Sequence, residues 1–290
     1  VYGLAANADD EKAVKKIFAA KNRPATHPLI VHITGEDALD HWAVDIPQSA
    51  YDLARKFWPG PLTMILKKAD HVGNWVTGDQ DSVGLRAPSH PWARALITAF
   101  AGKHHRGIAA PSANTFGRIS PTTAQHVRDD LGEKPRGKVD LILDGGECDV
   151  GVESTIINLS GNQPEILRHG AITRSMLEEV LGCAVPDGSK DSPRASGTLK
   201  SHYAPKTKVI LVDDIQVAFE TYADKKLAVM APQNQLSVTP KNVMKWFAAP
   251  AEAARLHELD AVGADFILIE NPAQGGLWDA VHDRLGRAAA

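Results

Sequence analysis

A short apolar run that passes into a polar loop, in residues 106–125, constrains the fold of this chain more than any other segment. The stretch reads RGIAAPSANTFGRISPTTAQ. Its apolar residues, 107–110, predict a buried strand that ends at Pro111. A helix is expected to open at Thr122, with Gln125 three positions later as its capping-box partner. The segment therefore predicts a strand, a loop and a helix in direct succession.

The loop between this strand and helix is rich in hydroxyl groups and carries one guanidinium. Its polar residues, arranged around Gly117, are Ser112, Asn114, Thr115, Arg118 and Ser120. Such side chains and the N–H groups of a helix start can bind an anion such as phosphate. An ordinary polar turn is the alternative, because Ser, Asn, Gly and Pro are common turn residues.

The composition is that of a soluble globular protein with one large or two ordinary domains. The chain has 290 residues, of which 43% are hydrophobic and 23% charged, and its formal net charge is −3. This charge does not favour a surface built mainly to hold nucleic acid, which is usually basic. No stretch approaches the roughly 20 apolar residues that span a bilayer, so no membrane contact is expected.

The cysteine content points to a reduced protein in the cytoplasm. Cys148 and Cys183 are too few for a disulfide framework, and no Cys/His spacing resembles a zinc site. The chain starts at Val1, inside an apolar segment, so we expect the native protein to begin earlier. Any targeting signal would lie in that earlier part.

Helical and strand patterns in residues 1–186 predict an α/β domain with a mixed, twisted sheet, because they do not repeat in a regular βαβ order. Gly182 is expected to end the last of its helices. The predicted helices cover 9–20, 49–57, 89–100 and 173–181, and the predicted strands cover 29–33, 62–66, 141–143 and 155–159.

Residues 208–290 predict a second, smaller α/β domain with a parallel, Rossmann-like sheet, because strands and helices alternate there. No glycine-rich fingerprint follows its first strand, so dinucleotide binding in the usual way is not expected. The predicted strands cover 209–212, 227–231 and 266–269, and the predicted helices cover 215–222, 241–247, 251–259 and 277–288.

Residues 187–207 join the two predicted domains and have the composition of a linker, without periodicity. A passive tether is one interpretation. The segment nevertheless carries more chemically active side chains than a tether needs, so an active role is the other. These side chains are Arg194, Lys200, His202, Tyr203 and Lys206.

Cationic side chains follow several apolar runs of the first domain. Lys21 and Arg23 come after the first helix, and Arg86 and Arg168 end two predicted strands. Each has an ordinary explanation on its own, such as a solvated helix end or a structural ion pair. Together they exceed what a fold needs for itself, and arginine can hold two oxygens at once. They predict a site for a polyanion together with a small carboxylate.

Two further positions extend this pattern without adding a reactive group. His32 ends a predicted strand, where a histidine is more often a core residue than a ligand, and Ser154 and Thr155 place two hydroxyls at the start of another strand. No nucleophile elbow, P-loop or H-E-x-x-H motif occurs. The predicted chemistry is therefore positioning and charge neutralisation of reactants that already carry the reactivity.

These segments, in this order, resemble the YrdC-domain family of L-threonylcarbamoyl-adenylate synthases in its longer, two-domain form. The resemblance covers nearly the whole chain and is strongest over residues 1–205. Any one motif is weak, but ten in sequence order are highly specific. The matching segments are Val1-Tyr2-Gly3-Leu4, Lys21-x-Arg23-Pro24, Pro28-Leu29-Ile30-Val31-His32, Trp58-Pro59-Gly60-Pro61-Leu62-Thr63, Val83-Gly84-Leu85-Arg86, Ala110-Pro111-Ser112-Ala113-Asn114, Ser120-Pro121-Thr122, Glu153-Ser154-Thr155, Leu167-Arg168-x-Gly170 and His202-Tyr203-Ala204-Pro205.

The resemblance implies a reaction in which L-threonine, bicarbonate and ATP, with Mg²⁺, give threonylcarbamoyl-adenylate and pyrophosphate. The adenylate would feed a tRNA modification through downstream proteins, without direct binding of tRNA to this chain. Catalysis would depend on positioning by Lys21, Arg23 and Arg86 and not on a discrete acid or base. Tyr203 would reach back from the linker, which would act as a lid that excludes water from a labile product. No metal ligand is indicated.

By position in the matching motifs, the resemblance also implies two sets of binding residues. Arg86 is the natural partner of the threonine carboxylate, and His27 stands where many members have Asn. The implied nucleotide-binding residues are Arg23, His27, Ser82, Ser112, Asn114, Ser120, Arg168 and Tyr203, with Lys21 close by, and the implied threonine-binding residues are His32, Arg86, Ala110 and Ser154.

Two other functions stay open at this level. A related carbamoyl transferase would act on carbamoyl-adenylate, but this sequence lacks the zinc-finger-like cysteines and the acylphosphatase-like region that accompany the domain in such proteins. A non-catalytic RNA-binding module would hold tRNA in an arginine-lined concavity, which the acidic balance disfavours. Its RNA affinity would fall steeply with salt and would not need ATP.

Overall fold

Two β-sheets, one in each half of the chain, carry the fold. The computed structural model describes residues 1–149, 152–197, 203–231, 239–247, 255–273, 275–276 and 278–290. The strands of the first half are β1 (Ala6–Asn7), β2 (Ile30–His32), β3 (Leu62–Lys67), β4 (Ser82–Arg86), β5 (Ile108–Ala109), β6 (Thr155–Asn158) and β7 (Glu165–Arg168). Its helices are α1 (Glu11–Lys21), α2 (Leu39–Trp42), α3 (Gln48–Phe57), α4 (Asn74–Thr77), α5 (Pro91–Ala101), α6 (Ala124–Asp130) and α7 (Arg174–Leu181). The second half has β8 (Lys208–Val212), α8 (Ile215–Thr221), β9 (Leu227–Met230), β10 (Val243–Phe247), α9 (Leu256–Asp260), β11 (Phe266–Glu270) and α10 (Trp278–Ala289).

The first sheet mixes parallel and antiparallel pairs in the order β1–β5–β2–β4–β3–β6–β7. β2 runs parallel to β4, and β3 runs parallel to β6, whereas the other neighbours are antiparallel. The inner strand β3 is buried from Leu62 to Leu66, which is typical of a strand covered on both faces. This topology confirms the mixed sheet that the sequence predicts.

The strand order brings several separate segments together at one edge of this sheet. Because β2 and β4 are parallel, His32 and Arg86 are partners in register at their ends. The start of β3 lies next to the end of β4, because the two strands are antiparallel and Met64 is the partner of Leu85. On its other side Thr63 pairs with Ile156 of β6, and Ile156 pairs in turn with Arg168 at the end of β7. Cations and hydroxyls from four strands therefore meet here.

Ser82 lies at the other end of β4 from this edge. It opens the strand that Arg86 ends, which places the two residues about 13 Å apart at roughly 3.3 Å per residue. A site that includes both must therefore extend along the face of the sheet. That length suits a nucleotide better than a small molecule.

The second sheet has four parallel strands in the order β10–β9–β11–β8, which confirms the smaller parallel α/β domain. The helix predicted over 241–247 is wrong, because Val243–Phe247 form the edge strand β10, paired with β9. Branched and aromatic side chains favour a strand once a partner strand is present. Of the helices predicted over 251–259 and 277–288, residues 251–254 and 277 lie outside the described residues, Arg255 directly precedes α9, and residues 256–259 and 278–288 belong to α9 and α10.

The strand predicted over 141–143 is also wrong. Leu141 and Leu143 are exposed, and this stretch has no regular secondary structure. The backbone N–H of Ile142 donates to Oε1 of Glu133 at 3.0 Å instead of to a neighbouring strand. A side chain thus replaces the strand partner that this apolar run would need.

The helix after the polar loop begins later than expected. Thr123, and not Thr122, caps it, because the Thr123 hydroxyl oxygen accepts the backbone N–H of His126 at 3.2 Å. The Thr122 hydroxyl lies 3.3 Å from Nδ1 of the same histidine. Gln125 does not complete a capping box, since its amide donates to Asp129 at 2.7 Å.

The described part of the linker packs against both halves of the chain. Ala195 is buried against Ile65 and Ile156 of the first sheet. Tyr203 is buried in the hydrophobic core of the second half, together with Ile119 from the polar loop. Residues 198–202, which include Lys200 and His202, lie outside the described residues. This packing favours an active role for the linker over a passive tether.

None of the helices in the described part of the chain has the length and hydrophobicity needed to cross a lipid bilayer.

Candidate active site

Lys21 ties the end of α1 to the polar loop. The helix ends here because Asn22 adopts the left-handed conformation of a C-cap, with φ of 52°. The Lys21 side chain is almost completely buried, and its ammonium donates to the carbonyl oxygens of Ser112 and Asn114, the latter at 2.5 Å. Lys21 therefore contacts Ser112 through the backbone carbonyl of that residue and not through its hydroxyl.

The two polar atoms of the Asn114 amide differ in their hydrogen bonding. Its Nδ2 donates to the carbonyl oxygens of Thr115 and Arg118, at 2.7 and 2.9 Å. Its Oδ1 is buried and has no hydrogen-bond partner among the described residues. A buried acceptor without a partner is costly, so this oxygen is suited to accept a hydrogen bond from a ligand.

Two arginines meet at the linker residue Ser196. Nη2 of Arg23 donates to the Ser196 hydroxyl oxygen at 3.2 Å and to the Pro28 carbonyl oxygen at 3.0 Å. Nη1 of Arg168 donates to the Ser196 carbonyl oxygen at 2.8 Å. Both arginines are more than nine-tenths buried, with 7% and 6% of their surfaces exposed. The linker thus lies directly on two guanidinium groups that the sequence predicts to bind nucleotide.

Ser154 joins Arg168 to the start of β3. Nε of Arg168 donates to the Ser154 carbonyl oxygen at 2.9 Å, and Nη2 donates to the Ser154 hydroxyl oxygen at 3.0 Å. The same hydroxyl lies 2.7 Å from the hydroxyl of Thr63, which is completely buried. Because a guanidinium only donates, the Ser154 hydroxyl accepts from it and keeps its own proton for another partner.

Arg86 and His32 lie side by side at the ends of β4 and β2. Nε of Arg86 donates to the Gly60 carbonyl oxygen at 3.0 Å. Nδ1 of His32 is buried and has no hydrogen-bond partner among the described residues. Ala110 continues from β5 beside them, and its N–H donates to the Ile30 carbonyl oxygen at 3.2 Å. The four residues expected to bind threonine, Ser154 included, therefore come from adjoining strands.

His27 and Ser82 flank the arginines on the far side of the site. The His27 ring meets the Phe116 ring edge-on, at 5.2 Å between centroids, and the Arg23 guanidinium lies over the same phenyl ring at 5.5 Å. Ser82 is buried and lines a small cavity together with Ser196. Both residues belong to the nucleotide-binding set that the resemblance implies.

The cations of the site destabilise one another. Burial, and then Arg23, lower the pKa of Lys21 to about 7. Burial also lowers the pKa of Arg23 and of Arg86 to about 10, and the nearby Arg168 acts on both in the same direction. Among the described residues no carboxylate forms an ion pair with any of these four cations. A buried group of like charges is costly, so the site is suited to receive an anion.

Ser120 is held in place from the second half of the chain. Its hydroxyl donates to Oε1 of Glu153 at 2.5 Å, and Oε2 of Glu153 forms an ion pair at 3.1 Å with Arg284 of α10. Burial raises the pKa of Glu153, but Arg284, Arg168 and the Ser120 hydroxyl outweigh burial and bring it to about 2. Arg284 also lies over the Tyr203 ring, 5.0 Å from its centroid. Helix α10 thus connects two of the predicted nucleotide-binding residues.

The sequence did not identify four residues that the structure makes part of this arrangement: Thr63, Glu153, Ser196 and Arg284. Glu153 and Thr63 had a local signal, because each lies within a matching motif. Arg284 had none, since its partner Glu153 is 131 residues away. Ser196 had only the unusual composition of the linker around it.

The neutral state of His32 predicts a pH-dependent stability. Burial, and then Arg86, lower the pKa of His32 to about 3 from its ordinary value of 6.5. Below pH 6.5 the unfolded chain binds a proton here that the folded chain does not, so stability is lost as the pH falls towards 3. Through this group the protein is expected to be about 2 kcal/mol less stable at pH 5 than at pH 7.

Urea unfolding at the two pH values measures this difference, with His32→Gln as the comparison. The variant keeps a neutral polar side chain but has no proton to gain, so other titrating groups cancel between the two proteins. An equal loss of stability in both proteins would mean that His32 already takes up its proton in the folded state.

Comparison with known proteins assigns both halves of the chain. Residues 1–170 match the Sua5/YciO/YrdC family, described as telomere recombination, and residues 172–290 match the C-terminal domain of threonylcarbamoyl-AMP synthase. Threonylcarbamoyl-AMP synthase of Pyrococcus abyssi is 40% identical, over 100% of this chain and 88% of that protein. Threonylcarbamoyl-AMP synthase of Bacillus subtilis is 36% identical, over 100% of this chain and 87% of that protein.

The fold agrees with a solved structure over the same length. The crystal structure of P. abyssi Sua5 complexed with L-threonine has a TM-score of 0.86 and 39% identity, covering 100% of this chain and 88% of that one. Both domains therefore match in sequence and in three dimensions. The chain belongs to the Sua5/YciO/YrdC family, in the two-domain form that ends in the C-terminal domain of threonylcarbamoyl-AMP synthases.

Proposed function

We propose that this protein makes L-threonylcarbamoyl-adenylate and pyrophosphate from L-threonine, bicarbonate and ATP. The strongest support is a group of four cations, the buried Lys21, Arg23 and Arg168 and the partly buried Arg86, which no carboxylate of the described residues neutralises by an ion pair. A triphosphate and an amino-acid carboxylate supply the negative charges that such a group requires. The name that the full-length relatives share agrees with this reaction.

In the proposed reaction two bonds form and two break, besides the transfer of protons to the water that leaves. The neutral threonine nitrogen bonds to the bicarbonate carbon while a C–O bond of bicarbonate breaks and its oxygen leaves as water, and an oxygen of the resulting carbamate bonds to the α-phosphorus of ATP. The bond from that phosphorus to the pyrophosphate oxygen breaks. The chain's part in this is to align three reactants and to offset negative charge, which lowers the barrier without a side chain that transfers a proton.

The nucleotide is proposed to lie along the sheet from Ser82 to the arginines. Arg23 and Arg168 would hold phosphate oxygens, with Lys21 beside them, and Oδ1 of Asn114 would accept a hydrogen bond from a donor group of the nucleotide. Mg²⁺ is proposed to enter with ATP, because phosphate oxygens and water are its usual ligands. Among the described residues there is no group of three or more His, Cys, Asp or Glu side chains that could hold a metal ion.

The contact of Ser120 with Glu153 limits what Ser120 can bind. A serine hydroxyl has one proton, and in this structure Glu153 accepts it. The Ser120 oxygen can then only accept a hydrogen bond from a ligand. We therefore assign it to a hydroxyl of the ribose, which donates, and not to a phosphate, which has only acceptors at neutral pH.

Arg86 is proposed to bind the threonine carboxylate, with His32, Ala110 and Ser154 around the rest of the amino acid. Arg86→Ala is expected to raise the KM for L-threonine about 100-fold, because a bidentate, charge-assisted contact is lost. Arg94→Ala, on the exposed side of α5, is the matched control and should leave the KM unchanged. Unchanged dependence on threonine in Arg86→Ala would refute this assignment.

The linker is proposed to act as a lid, and Gly197 is its critical backbone position. Gly197 has φ of 81°, and a Cβ there would lie 2.5 Å from the Tyr203 hydroxyl oxygen and 2.9 Å from Nη1 of Arg168. Gly197→Ala is expected to lower kcat/KM for ATP at least tenfold. The matched control is Gly182→Ala, where φ is 64° but nothing lies within 4 Å of the added Cβ.

These two substitutions impose a similar backbone strain, of about 1 kcal/mol, but the close contacts of the added Cβ at position 197 come on top of it, so thermal unfolding should shift further in Gly197→Ala. Only Gly197→Ala pushes against site residues, so only its activity should fall. Equal activity of the two variants would show that the lid does not approach Tyr203 and Arg168 during turnover.

A substrate-omission assay tests the whole proposal. The protein is mixed with ATP, Mg²⁺, bicarbonate and L-threonine, each left out in turn, while pyrophosphate release and the mass of the adenylate are followed. Pyrophosphate release that requires both threonine and bicarbonate, with the expected adduct, supports the proposal. Release that does not depend on threonine means a different acceptor, and no release means that the chain is not this enzyme.

The fate of the product is part of the same proposal. The adenylate would pass to downstream proteins in the cytoplasm that modify tRNA, and this chain would not itself bind tRNA. Binding of labelled tRNA at low and high salt tests the last point. Affinity that is strong at low salt, falls steeply with salt and does not need ATP would instead favour an RNA-binding module.

A further inference from the structure

A pair of residues outside the predicted binding set fastens the linker to the first domain. The strap, defined here as residues 194–197, crosses the face of the first sheet. The Gln80 side chain forms hydrogen bonds with both the backbone N–H and the backbone carbonyl of Arg194 in the strap. Its Oε1 accepts the Arg194 N–H at 2.6 Å, and its Nε2 donates to the Arg194 carbonyl oxygen at 3.1 Å. Gln80 therefore pairs with the strap as a neighbouring strand would.

The Arg194 side chain adds a second attachment at the same place. Its Nη1 donates to the Thr26 carbonyl oxygen at 3.1 Å, and its Nη2 donates to the Gly78 carbonyl oxygen at 2.6 Å. These two loops approach closely because residue 78 is a glycine: a Cβ there would lie 2.3 Å from the Thr26 carbonyl oxygen. The guanidinium spans both loops and has no carboxylate partner within ion-pair distance among the described residues.

The attached strap leaves almost no room beneath it. Ala195 and Ser196 cover a cavity of about 10 Å³ that Ser82, Ile65 and Ile156 also line. Such a space holds one water molecule at most. A nucleotide that reaches Ser82, as the proposed function requires, can enter only after residues 194–197 have moved away from the sheet.

The attachment is strong enough to hold the strap and weak enough to release it. Arg194 is exposed to solvent, and all four hydrogen bonds involve uncharged acceptors. Each such bond contributes modestly in the presence of water, and two of ordinary strength change an equilibrium about tenfold. Ala195, by contrast, is buried and holds its place by apolar packing once the strap is down.

We infer that Gln80 and Arg194 form a latch that sets how often the strap opens, and that they are positioning residues for the lid. The inference rests on the proposed function only for its consequence, which is control of substrate entry and of the escape of a labile product. The latch itself is a property of the folded chain without substrates. It acts through Ser196, which it places against Arg23 and Arg168.

Limited digestion with trypsin, without substrates, measures strap opening directly. Cleavage after residue 194 requires the strap to leave the sheet, because Ala195 is buried. The quantity compared is the rate of this cleavage relative to cleavage after Lys56 in α3. Gln80→Ala is expected to raise the ratio about tenfold, and Arg194→Lys, which still gives a trypsin site but loses the fork to two carbonyls, is expected to raise it several-fold.

The control is Gln163→Ala, which removes an exposed glutamine elsewhere in the first domain and should not change the ratio. A ratio in Gln80→Ala within twofold of that in the control overturns the latch. A general loosening of the fold raises both cleavage rates and leaves the ratio unchanged, so it also counts against the latch.

A second measurement separates a positioning role from a structural one. During turnover, Gln80→Ala is expected to release more AMP relative to intact adenylate, because an open strap admits water to the product, while Gln163→Ala keeps the original proportion. An unchanged proportion together with faster cleavage after residue 194 would overturn the role of the latch in product protection. If no protein forms adenylate, the proposed reaction fails while the cleavage ratio still decides whether the latch exists.

Discussion

Replacing Arg168 by alanine is expected to lower kcat/KM for ATP by about 10³-fold. The guanidinium makes two hydrogen bonds to Ser154 and one to the carbonyl oxygen of Ser196. Truncation removes a charge that faces the proposed phosphates and also frees the strap and the start of β6. Loss of one electrostatic donor in a preorganised site typically costs about 10²–10³ in rate, and the loosened strap adds to this. Steady-state kinetics with varied ATP gives the value.

Two further variants show which property of Arg168 matters. Arg174→Ala is the matched control: this arginine pairs with Asp187 near the surface, where an ion pair contributes about 1 kcal/mol or less. Arg168→Lys keeps the charge but not the planar fork, so it should restore part of the binding of ATP but not the contacts to Ser154. An Arg168→Ala protein that keeps more than a tenth of its kcat/KM would contradict the proposed role.

The residues predicted from the sequence are those whose positions are fixed locally. Arg86, Arg168 and His32 each end a strand whose apolar run is legible in the sequence, and the structure places all three at one sheet edge. A polar or cationic residue that follows a buried apolar run is confined to the end of that strand, because its burial in the apolar core would be costly. Their meeting point could be predicted only through the resemblance, because the strand order β2–β4–β3–β6–β7 depends on pairings between distant segments.

The residues that the sequence did not reveal are those fixed by distant partners. Arg284 lies in the middle of a helix with an ordinary amphipathic pattern, and its burial follows from Glu153 in the other half of the chain. Ser196 has no local signal, because its three contacts, to Pro28, Arg23 and Arg168, all come from the first domain. The strand Val243–Phe247 was not predicted for the same reason, because its pairing with β9 outweighs its helical periodicity.

The site and the second domain are coupled through charge. Arg284 and Glu153 are both largely buried, with 2% and 12% of their side chains exposed. The carboxylate holds the Ser120 hydroxyl, and the guanidinium covers the Tyr203 ring. His257 of α9 adds a contact to the Ser120 carbonyl oxygen at 3.1 Å. The second domain therefore fixes the polar loop and the end of the linker at once.

Replacing Glu153 by alanine is expected to cost about 3–5 kcal/mol of stability, because it leaves the Arg284 charge buried without its carboxylate. Urea unfolding at pH 7 measures the loss, and the ionised state of Glu153 there follows from its pKa of about 2. The Ser120 hydroxyl loses its acceptor in the same variant, so kcat/KM for ATP should fall as well. Glu153→Gln, which keeps an acceptor for Ser120, should retain more activity at a comparable loss of stability.

A double-mutant cycle with Arg284→Met decides whether the charge pair is the cause. Arg284→Met removes the buried guanidinium but keeps its length and apolar stem, so Glu153→Ala in that background no longer leaves this charge without its carboxylate. The double variant should therefore be at least 2 kcal/mol more stable than the sum of the two single losses predicts. Additive losses would mean that Glu153 and Arg284 stabilise the protein independently, and the second domain would then hold Ser120 through His257 instead.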